Sequence, residues 1–214
     1  MKYAFLAIFT ISVIIHLYAS LQKDKRLRNL SKPFIVMSLL GFYVQATSSI
    51  SVMVILALIF SWIGDVLLMP KGNKWLTAGG ISFIISHVFL ILRYWQDVVF
   101  SKISLTLSLC LAGFFLLAVV IIFSRLKKYI PKKLVYPMFL YLFINGAMNC
   151  YAVFRCVSIP SKAAVITAVG AALFFISDSV QFFVRFKKNS RLKTHFVIML
   201  TYSLGELLIV LGLI

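Results

Sequence analysis

Apolar residues form eight long segments that are separated by short polar stretches. The segments cover residues 3–21, 33–49, 50–69, 76–94, 103–123, 134–154, 162–184 and 196–214. Each segment is close to the roughly 17–25 residues that an α-helix needs to cross a bilayer. No long linker divides them. The pattern therefore predicts an all-α fold, a polytopic integral membrane bundle of about eight transmembrane helices, which forms a single transmembrane domain over residues 1–214.

The composition excludes a soluble domain and gives no sign of a metal site. Hydrophobic residues make up 62% of the chain and charged residues 13%, about half the charged fraction of a soluble domain. The three cysteines have no metal or disulfide spacing, and the three histidines fall on different segments. We therefore expect the cysteines to be small core residues, and we predict neither a metal nor a cofactor.

The basic residues divide unevenly between the two sides of the bundle. Four inter-segment loops, together with Lys32, hold 17 of the 22 Lys and Arg residues, and all four loops fall on one side of an eight-helix weave. Cytoplasmic loops of membrane proteins are enriched in Lys and Arg. The net charge of +17 thus reflects how the chain is oriented across the membrane and does not indicate a nucleic-acid partner. We expect both termini to face away from the cytosol.

Three of the five acidic residues lie inside apolar segments, namely Asp65, Asp178 and Glu206. An intramembrane acid costs roughly 2.5–3.5 kcal/mol on insertion scales, so each is a candidate for function. At 1.5 Å per helical residue, Asp65 and Asp178 should lie about 7–10 Å from the cytosolic boundary. The depth predicts that their carboxyl groups share one layer and lie within about 10 Å of each other, the range for a cooperating pair.

A second polar layer is predicted beneath the aspartates, about 16–18 Å deep, and contains His87, Asn145 and Glu206. On segment six, Tyr141, Asn145 and Asn149 repeat every four residues and so form one polar stripe. Two interpretations stay open for several residues. Asn145 and Ser86 are either site residues or residues whose hydrogen bonds hold helices together. His87 either makes a packing hydrogen bond or has a role in the site.

Lys32 and the aspartate pair also have two interpretations each. Lys32 is either a boundary residue whose charged end reaches the interface or a ligand at the mouth of the cleft. A purely structural role for the pair of Asp65 and Asp178 is disfavoured, because two like charges close together in a low dielectric are mutually unfavourable.

Five motifs follow one another in the order and approximate spacing of a known family. They are Lys32-Pro33, Ser61-x-x-Gly64-Asp65-x-Leu67-Leu68, Gly80-x-x-x-x-x-Ser86-His87, Gly170-Ala171-x-Leu173-Phe174-x-x-Ser177-Asp178 and Tyr202-x-x-Gly205-x-x-Leu208-Ile209. Together they resemble the YhhN-like transmembrane lysoplasmalogenases over nearly the whole chain. That family tends to have a neutral polar residue where Glu206 stands.

The resemblance implies an enzyme that hydrolyses the vinyl-ether bond of lysoplasmalogens, such as lysoplasmenylethanolamine or lysoplasmenylcholine. The products are a fatty aldehyde and a glycerophospho-base, and no cofactor is needed. The implied partners are the lysophospholipid substrate and membrane lipids, with no nucleic acid, and the oligomeric state stays open. We expect the location to be a bacterial cytoplasmic membrane.

The resemblance also implies roles for individual residues. Asp65 and Asp178 are the expected catalytic pair; Asp65 lies nearer Lys32, Lys71 and Lys74, which favours it as the ionised member and Asp178 as the acid. The expected substrate-binding residues are Lys32, Ser61, His87, Asn145, Asn149, Ser177, Tyr202 and Glu206. Among these, His87 with Asn145 or Asn149 would orient water or the glycerol hydroxyl.

Two other function classes stay open at this stage. A secondary transporter also places acids inside a helix bundle, although no pair of interrupted helices is evident. A non-catalytic lipid-binding or assembly protein would need neither aspartate.

Overall fold

The computed structural model describes residues 2–187 and 195–214, and this part of the chain folds into eight α-helices. They are α1 (Lys2–Leu21), α2 (Lys25–Ala46), α3 (Val52–Leu67), α4 (Asn73–Asp97), α5 (Leu105–Leu126), α6 (Val135–Ser158), α7 (Lys162–Phe186) and α8 (His195–Leu211). Three single-turn 3₁₀ helices add Phe100–Lys102, Lys127–Tyr129 and Lys132–Leu134. The described residues contain no strand. The predicted all-α fold is confirmed.

Five helical stretches are long and apolar enough to cross a membrane by themselves. They are Tyr3–Leu21, Asn73–Asp97, Leu105–Tyr129, Lys132–Ser158 and Lys162–Phe186, while α3 and α8 are shorter apolar helices. The outer surface is apolar as well: on α5 only Val119 and Leu126 are buried, so most of that helix presents hydrocarbon side chains outward. Such a surface is stable in lipid and not in water. The chain is an integral membrane protein.

The largest difference from the predicted segments is at the start of α2. The apolar pattern begins at residue 33, but the helix begins at Lys25, because the Asp24 side chain accepts hydrogen bonds from the backbone of Arg26 at 2.8 Å and of Leu27 at 3.2 Å. This is an N-cap, which stabilises a helix whatever its hydropathy. Lys32 and Pro33 therefore lie inside α2 rather than at its edge.

Seven of the helices form a closed ring, and α5 lies outside it. Around the ring, α1 packs on α2, α2 on α3, α3 on α4, α4 on α6, α6 on α7, α7 on α8, and α8 returns to α1 and α2. The helix α5 packs chiefly on the outer face of α6. We call the end of the ring that carries the α1–α2, α3–α4 and α5–α6 connections the basic end. Consequently α3 and α7, which carry the two aspartates, face each other across the ring interior.

Two glycines bring α7 and α8 into close contact. A Cβ atom on Gly170 would lie 2.8 Å from the carbonyl oxygen of Gly205, and one on Gly205 would lie 2.9 Å from that of Gly170. Small residues of this kind let membrane helices approach at backbone distance. Tyr202, three residues before Gly205 on α8, lies next to this close contact.

A second set of charges joins four helices at the end of the ring opposite the basic end. Arg155 of α6 donates to Asp97 of α4 at 2.7 Å, to Thr167 of α7 at 2.8 Å and to the backbone oxygen of Gly212 after α8 at 3.2 Å. Arg93 also contacts Asp97, at 2.6 Å. Because α4 extends to Asp97, three residues beyond the predicted segment, this carboxylate lies inside the fold and fixes that end of the ring.

Candidate active site

A cavity of about 30 Å³ lies inside the ring toward the basic end, and both Asp65 and Asp178 line it. Six helices contribute to its wall, namely α2, α3, α4, α6, α7 and α8. Its other polar residues are Lys32, Tyr141, Gln181 and Tyr202. The ring thus brings Asp65 of α3 and Asp178 of α7 to one small space.

Asp65 is held by a cation and a hydroxyl group. It lies in the last turn of α3 and is 3% exposed. Lys32 Nζ lies 3.1 Å from its Oδ1, and the Tyr202 hydroxyl donates to its Oδ2 at 2.7 Å. One turn earlier on the same side, the Trp62 indole donates to the backbone oxygen of Pro33 at 2.9 Å. This bond joins α3 to α2 beside Lys32 and so fixes the Lys32–Asp65 pair.

Asp178 has neutral partners instead of a cation. The Tyr141 hydroxyl and the Asn145 amide both donate to its Oδ2, the amide at 2.8 Å. No described residue donates to Oδ1, and no described Lys or Arg forms an ion pair with this side chain. Asp178 is 8% exposed and lines the cavity. The two carboxyl groups therefore have unlike surroundings.

The second polar layer lies one turn deeper, and most of it does not line the cavity. Ser61 and Ser86 share a hydrogen bond of 2.9 Å between their hydroxyl oxygens. Glu206 is 2% exposed, with Ser61 and Tyr202 beside it, and its Oε1 has no hydrogen-bond partner in the described part of the chain. Glu206 does not line the cavity.

His87 packs among aromatic rings and makes no hydrogen bond with the described residues. Its ring centroid lies 5.0 Å from that of Phe174 and 5.7 Å from that of Tyr141, both nearly perpendicular. Neither ring nitrogen has a hydrogen-bond partner among the described residues. With Phe83 and Phe174, His87 forms an aromatic layer beside the cavity, but it does not line the cavity itself. Its expected role in orienting water stays a prediction.

The remaining predicted site residues join helices or support a neighbour. The Ser177 hydroxyl donates to the backbone oxygen of Ile198 at 2.8 Å, which links α7 to α8. The Asn149 amide donates to the backbone oxygen of Asn145 at 3.0 Å and lies within 3.2 Å of its Oδ1. Asn145 itself was predicted in the deeper layer, but it reaches the first layer because its amide bonds to Asp178.

Two polar residues of the cavity wall, Tyr141 and Gln181, were not among the predicted site residues. Tyr141 bonds to Asp178, and Gln181 lines the cavity three residues beyond Asp178 on the same face of α7. The sequence carries a signal for each, since Tyr141 begins the polar stripe of α6 and Gln181 follows Asp178 at helical spacing. The described residues contain no group of three or more His, Cys, Asp or Glu side chains that could hold a metal ion.

A wider basic vestibule opens above the cavity at the basic end. It measures about 450 Å³ and shares Lys32, Leu68, Gln181 and Met199 with the cavity wall. Its charged side chains among the described residues are all basic or imidazole groups: His16, Lys25, Arg28, Lys32, Lys71, Arg185 and His195. The Nε atom of Arg28 is buried and has no hydrogen-bond partner there. The vestibule therefore favours an anion.

The fold and the site define a class: a polytopic helical membrane protein with two unlike carboxyl groups in a cavity that adjoins a basic vestibule. A sequence model of the YhhN family matches residues 27–213, most of the chain. This chain belongs to the YhhN family, which is the lysoplasmalogenase family. No curated protein and no solved structure gives a match.

Proposed function

We propose that this protein hydrolyses the vinyl-ether bond of lysoplasmalogens and releases a fatty aldehyde and a glycerophospho-base. The observation that carries the proposal is the shared cavity of Asp65 and Asp178, in which one carboxyl group pairs with Lys32 and the other does not. Vinyl-ether cleavage needs an acid that keeps its proton and a negative charge near the developing cation. Glycosidases meet the same demand with two carboxyl groups in unequal environments.

In the proposed reaction, Asp178 gives its proton to the double-bond carbon that lies farther from the ether oxygen. The electron pair of the double bond forms the new C–H bond, and the positive charge is shared between the other carbon and the ether oxygen. Asp65, ionised through its pairing with Lys32, stabilises this cation. Water then adds to the cationic carbon and returns a proton to Asp178. The hemiacetal collapses to aldehyde as its hydroxyl proton passes to the departing glycerol oxygen.

Partners of the two carboxyl groups hold them in these roles. Both hydrogen bonds from Tyr141 and Asn145 fall on Oδ2 of Asp178, which leaves Oδ1 to carry the proton toward the substrate. The Tyr202 hydroxyl and Lys32 occupy opposite oxygens of Asp65 and fix the plane of its carboxylate. Gln181, which lines both cavity and vestibule, offers a donor and an acceptor to the glycerol hydroxyl.

The basic vestibule supports a substrate with a phosphate group. Arg and Lys side chains recognise phosphate through charge-assisted hydrogen bonds, and Arg binds it with two parallel bonds. The unpartnered Nε of Arg28 would gain an acceptor from such a group. Since Lys32 lines both spaces, a phosphate in the vestibule lies close to an ether bond in the cavity.

The proposal is tested with purified protein in detergent micelles and lysoplasmenylethanolamine as substrate. We expect aldehyde release, a substantial solvent isotope effect from proton transfer to carbon, and losses of about 10²–10⁴ in rate for Asp178→Asn. Asp65→Asn should lose most activity as well. Both variants should remain folded, because Asn has the shape of Asp and the Lys32 side chain that Asp65→Asn leaves unpaired is partly exposed to the vestibule.

Two controls separate the alternatives. The matching 1-alkyl ether lipid has no double bond and should release nothing. Detergent solution holds no gradient, so aldehyde release there distinguishes hydrolysis from transport, and a non-catalytic lipid-binding protein releases none. Full activity of both Asp65→Asn and Asp178→Asn would refute the proposed mechanism.

A further inference from the structure

A narrow apolar groove runs between α4 and α6, next to the aspartate cavity. It measures about 40 Å³. From α4 it takes Gly80, Ile81 and Ile84, and from α6 it takes Pro137 and Met138. Thr77 and Tyr141 are the only groove residues in the described chain whose side chains carry a polar group. The mechanism above makes no use of this groove.

The groove adjoins the aspartate cavity. Leu76, Gly80, Tyr141 and Phe182 line both of them, and the Tyr141 hydroxyl also donates a hydrogen bond to Asp178. At its outer rim, Ile81 is 51% exposed on the apolar surface that faces lipid. The groove therefore lies between the wall of the aspartate cavity and the lipid-facing surface.

Gly80 stands at the junction and faces open space. A Cβ atom on Gly80 would meet no atom within 4 Å, whereas a Cβ atom on the adjacent Gly79 would lie 2.8 Å from the Leu68 side chain and 3.2 Å from the backbone oxygen of Gly64. Gly79 is thus needed for the packing of α4 on α3. Glycine inside a helix costs about 0.5–1 kcal/mol relative to alanine, and at Gly80 no packing contact accounts for that cost.

We propose that this groove holds the hydrocarbon chain of the lipid substrate, with the rest of the chain lying in the bilayer beside α4 and α6. The inference rests on the proposed function. In a vinyl-ether lipid the chain begins at the carbon that receives the proton, so it must leave the cavity on the Asp178 side, where Tyr141 joins cavity and groove. The phosphate then lies on the other side, in the basic vestibule. The groove is apolar because its ligand is an alkyl chain.

The test uses full-length protein and two chain lengths. Ile84→Phe adds bulk in the groove at a position that does not line the cavity, and Gly80→Leu adds a side chain at the junction, where a Cβ meets no atom within 4 Å. For each, we expect kcat/KM for an 18-carbon alkenyl lysolipid to fall by at least about tenfold. For Ile84→Phe, kcat/KM for the four-carbon analogue should change little, whereas Gly80 also lines the cavity, so Gly80→Leu should lower both values. Gly113→Leu on α5 is the matched control, since a Cβ there also meets nothing within 4 Å and the site is remote; it should change neither value.

A binding measurement keeps the groove separate from the chemistry. The 1-alkyl lysophosphoethanolamines are not cleaved. With the 18-carbon chain, their affinity for wild-type protein should exceed their affinity for Ile84→Phe, and with the four-carbon chain the two affinities should match. Equal effects of Ile84→Phe on both chain lengths, or none, would overturn the groove assignment. If the wild type releases no aldehyde while binding still depends on chain length and on Ile84, the proposed function fails and the groove stands.

Discussion

Replacing Lys32 with methionine removes one member of the ion pair on which the proposed charge stabilisation depends. Lys32 Nζ lies 3.1 Å from Asp65 Oδ1, and the two side chains are 18% and 4% exposed. Removing one partner of a buried ion pair costs roughly 3–5 kcal/mol, because the other charge stays buried and unpaired. Lys32 is partly exposed to the vestibule, so we expect the lower end of this range, about 3 kcal/mol. Methionine keeps the apolar stem of lysine and so adds no large cavity.

The double variant Lys32→Met/Asp65→Asn separates charge from packing. With both charges removed, the unpaired carboxylate is gone, and the double variant should be more stable than Lys32→Met alone. Stability is measured as the free energy of unfolding in detergent, with Lys71→Met as control because Lys71 lines the same vestibule and has no ion pair in the described chain. Aldehyde release by Lys32→Met should fall by about 10²-fold or more.

One result would refute this reasoning. If the losses of the two single variants simply add in the double variant, Lys32 and Asp65 are not energetically coupled. The proposed source of the charge on Asp65 would then be wrong.

Three further predictions concern other parts of the chain. Arg155→Met should lower stability by about 2 kcal/mol, since it removes the hydrogen bonds from Arg155 to Thr167 and Gly212 and leaves Asp97 paired with Arg93 alone; an unchanged melting temperature in detergent would contradict it. Glu206→Gln should keep activity within a few-fold, because this side chain does not line the cavity. An inactive Glu206→Gln variant would indicate that Glu206, and not the aspartate pair alone, is needed for the reaction. Reporter fusions at Lys74 and Lys128 should report a cytosolic location and fusions at Ile214 the opposite side, and a cytosolic Ile214 reporter would contradict the orientation.

The sequence by itself determined the fold class and the candidate residues for the proposed chemistry. Eight apolar segments of membrane-spanning length allow only helices, because backbone polar groups must be satisfied within each segment in lipid. Three acids inside those segments also stand out, because a charged side chain in lipid is costly. Helical rise placed Asp65 and Asp178 at one depth, and the structure has both in the wall of one cavity.

Helix ends and lateral neighbours could not be derived in this way. Hydropathy detects the part of a helix that faces lipid, so it missed the first turns of α2, which Asp24 caps in the polar region. It missed the last turn of α4 as well, where Asp97 meets Arg155. Both ends are fixed by polar contacts that add nothing to an apolar pattern.

Only the tertiary structure decided which polar residues reach the cavity. Depth gave Asn145 and His87 the same layer, yet the Asn145 amide bonds to Asp178 while His87 turns into a layer of aromatic rings. Rotation about a helix axis and the choice of neighbouring helices decide this, and neither is encoded in depth or spacing. In the ring, α6 lies beside α7, and α5 lies outside. This order brings Tyr141 to Asp178 and forms the groove beside Gly80.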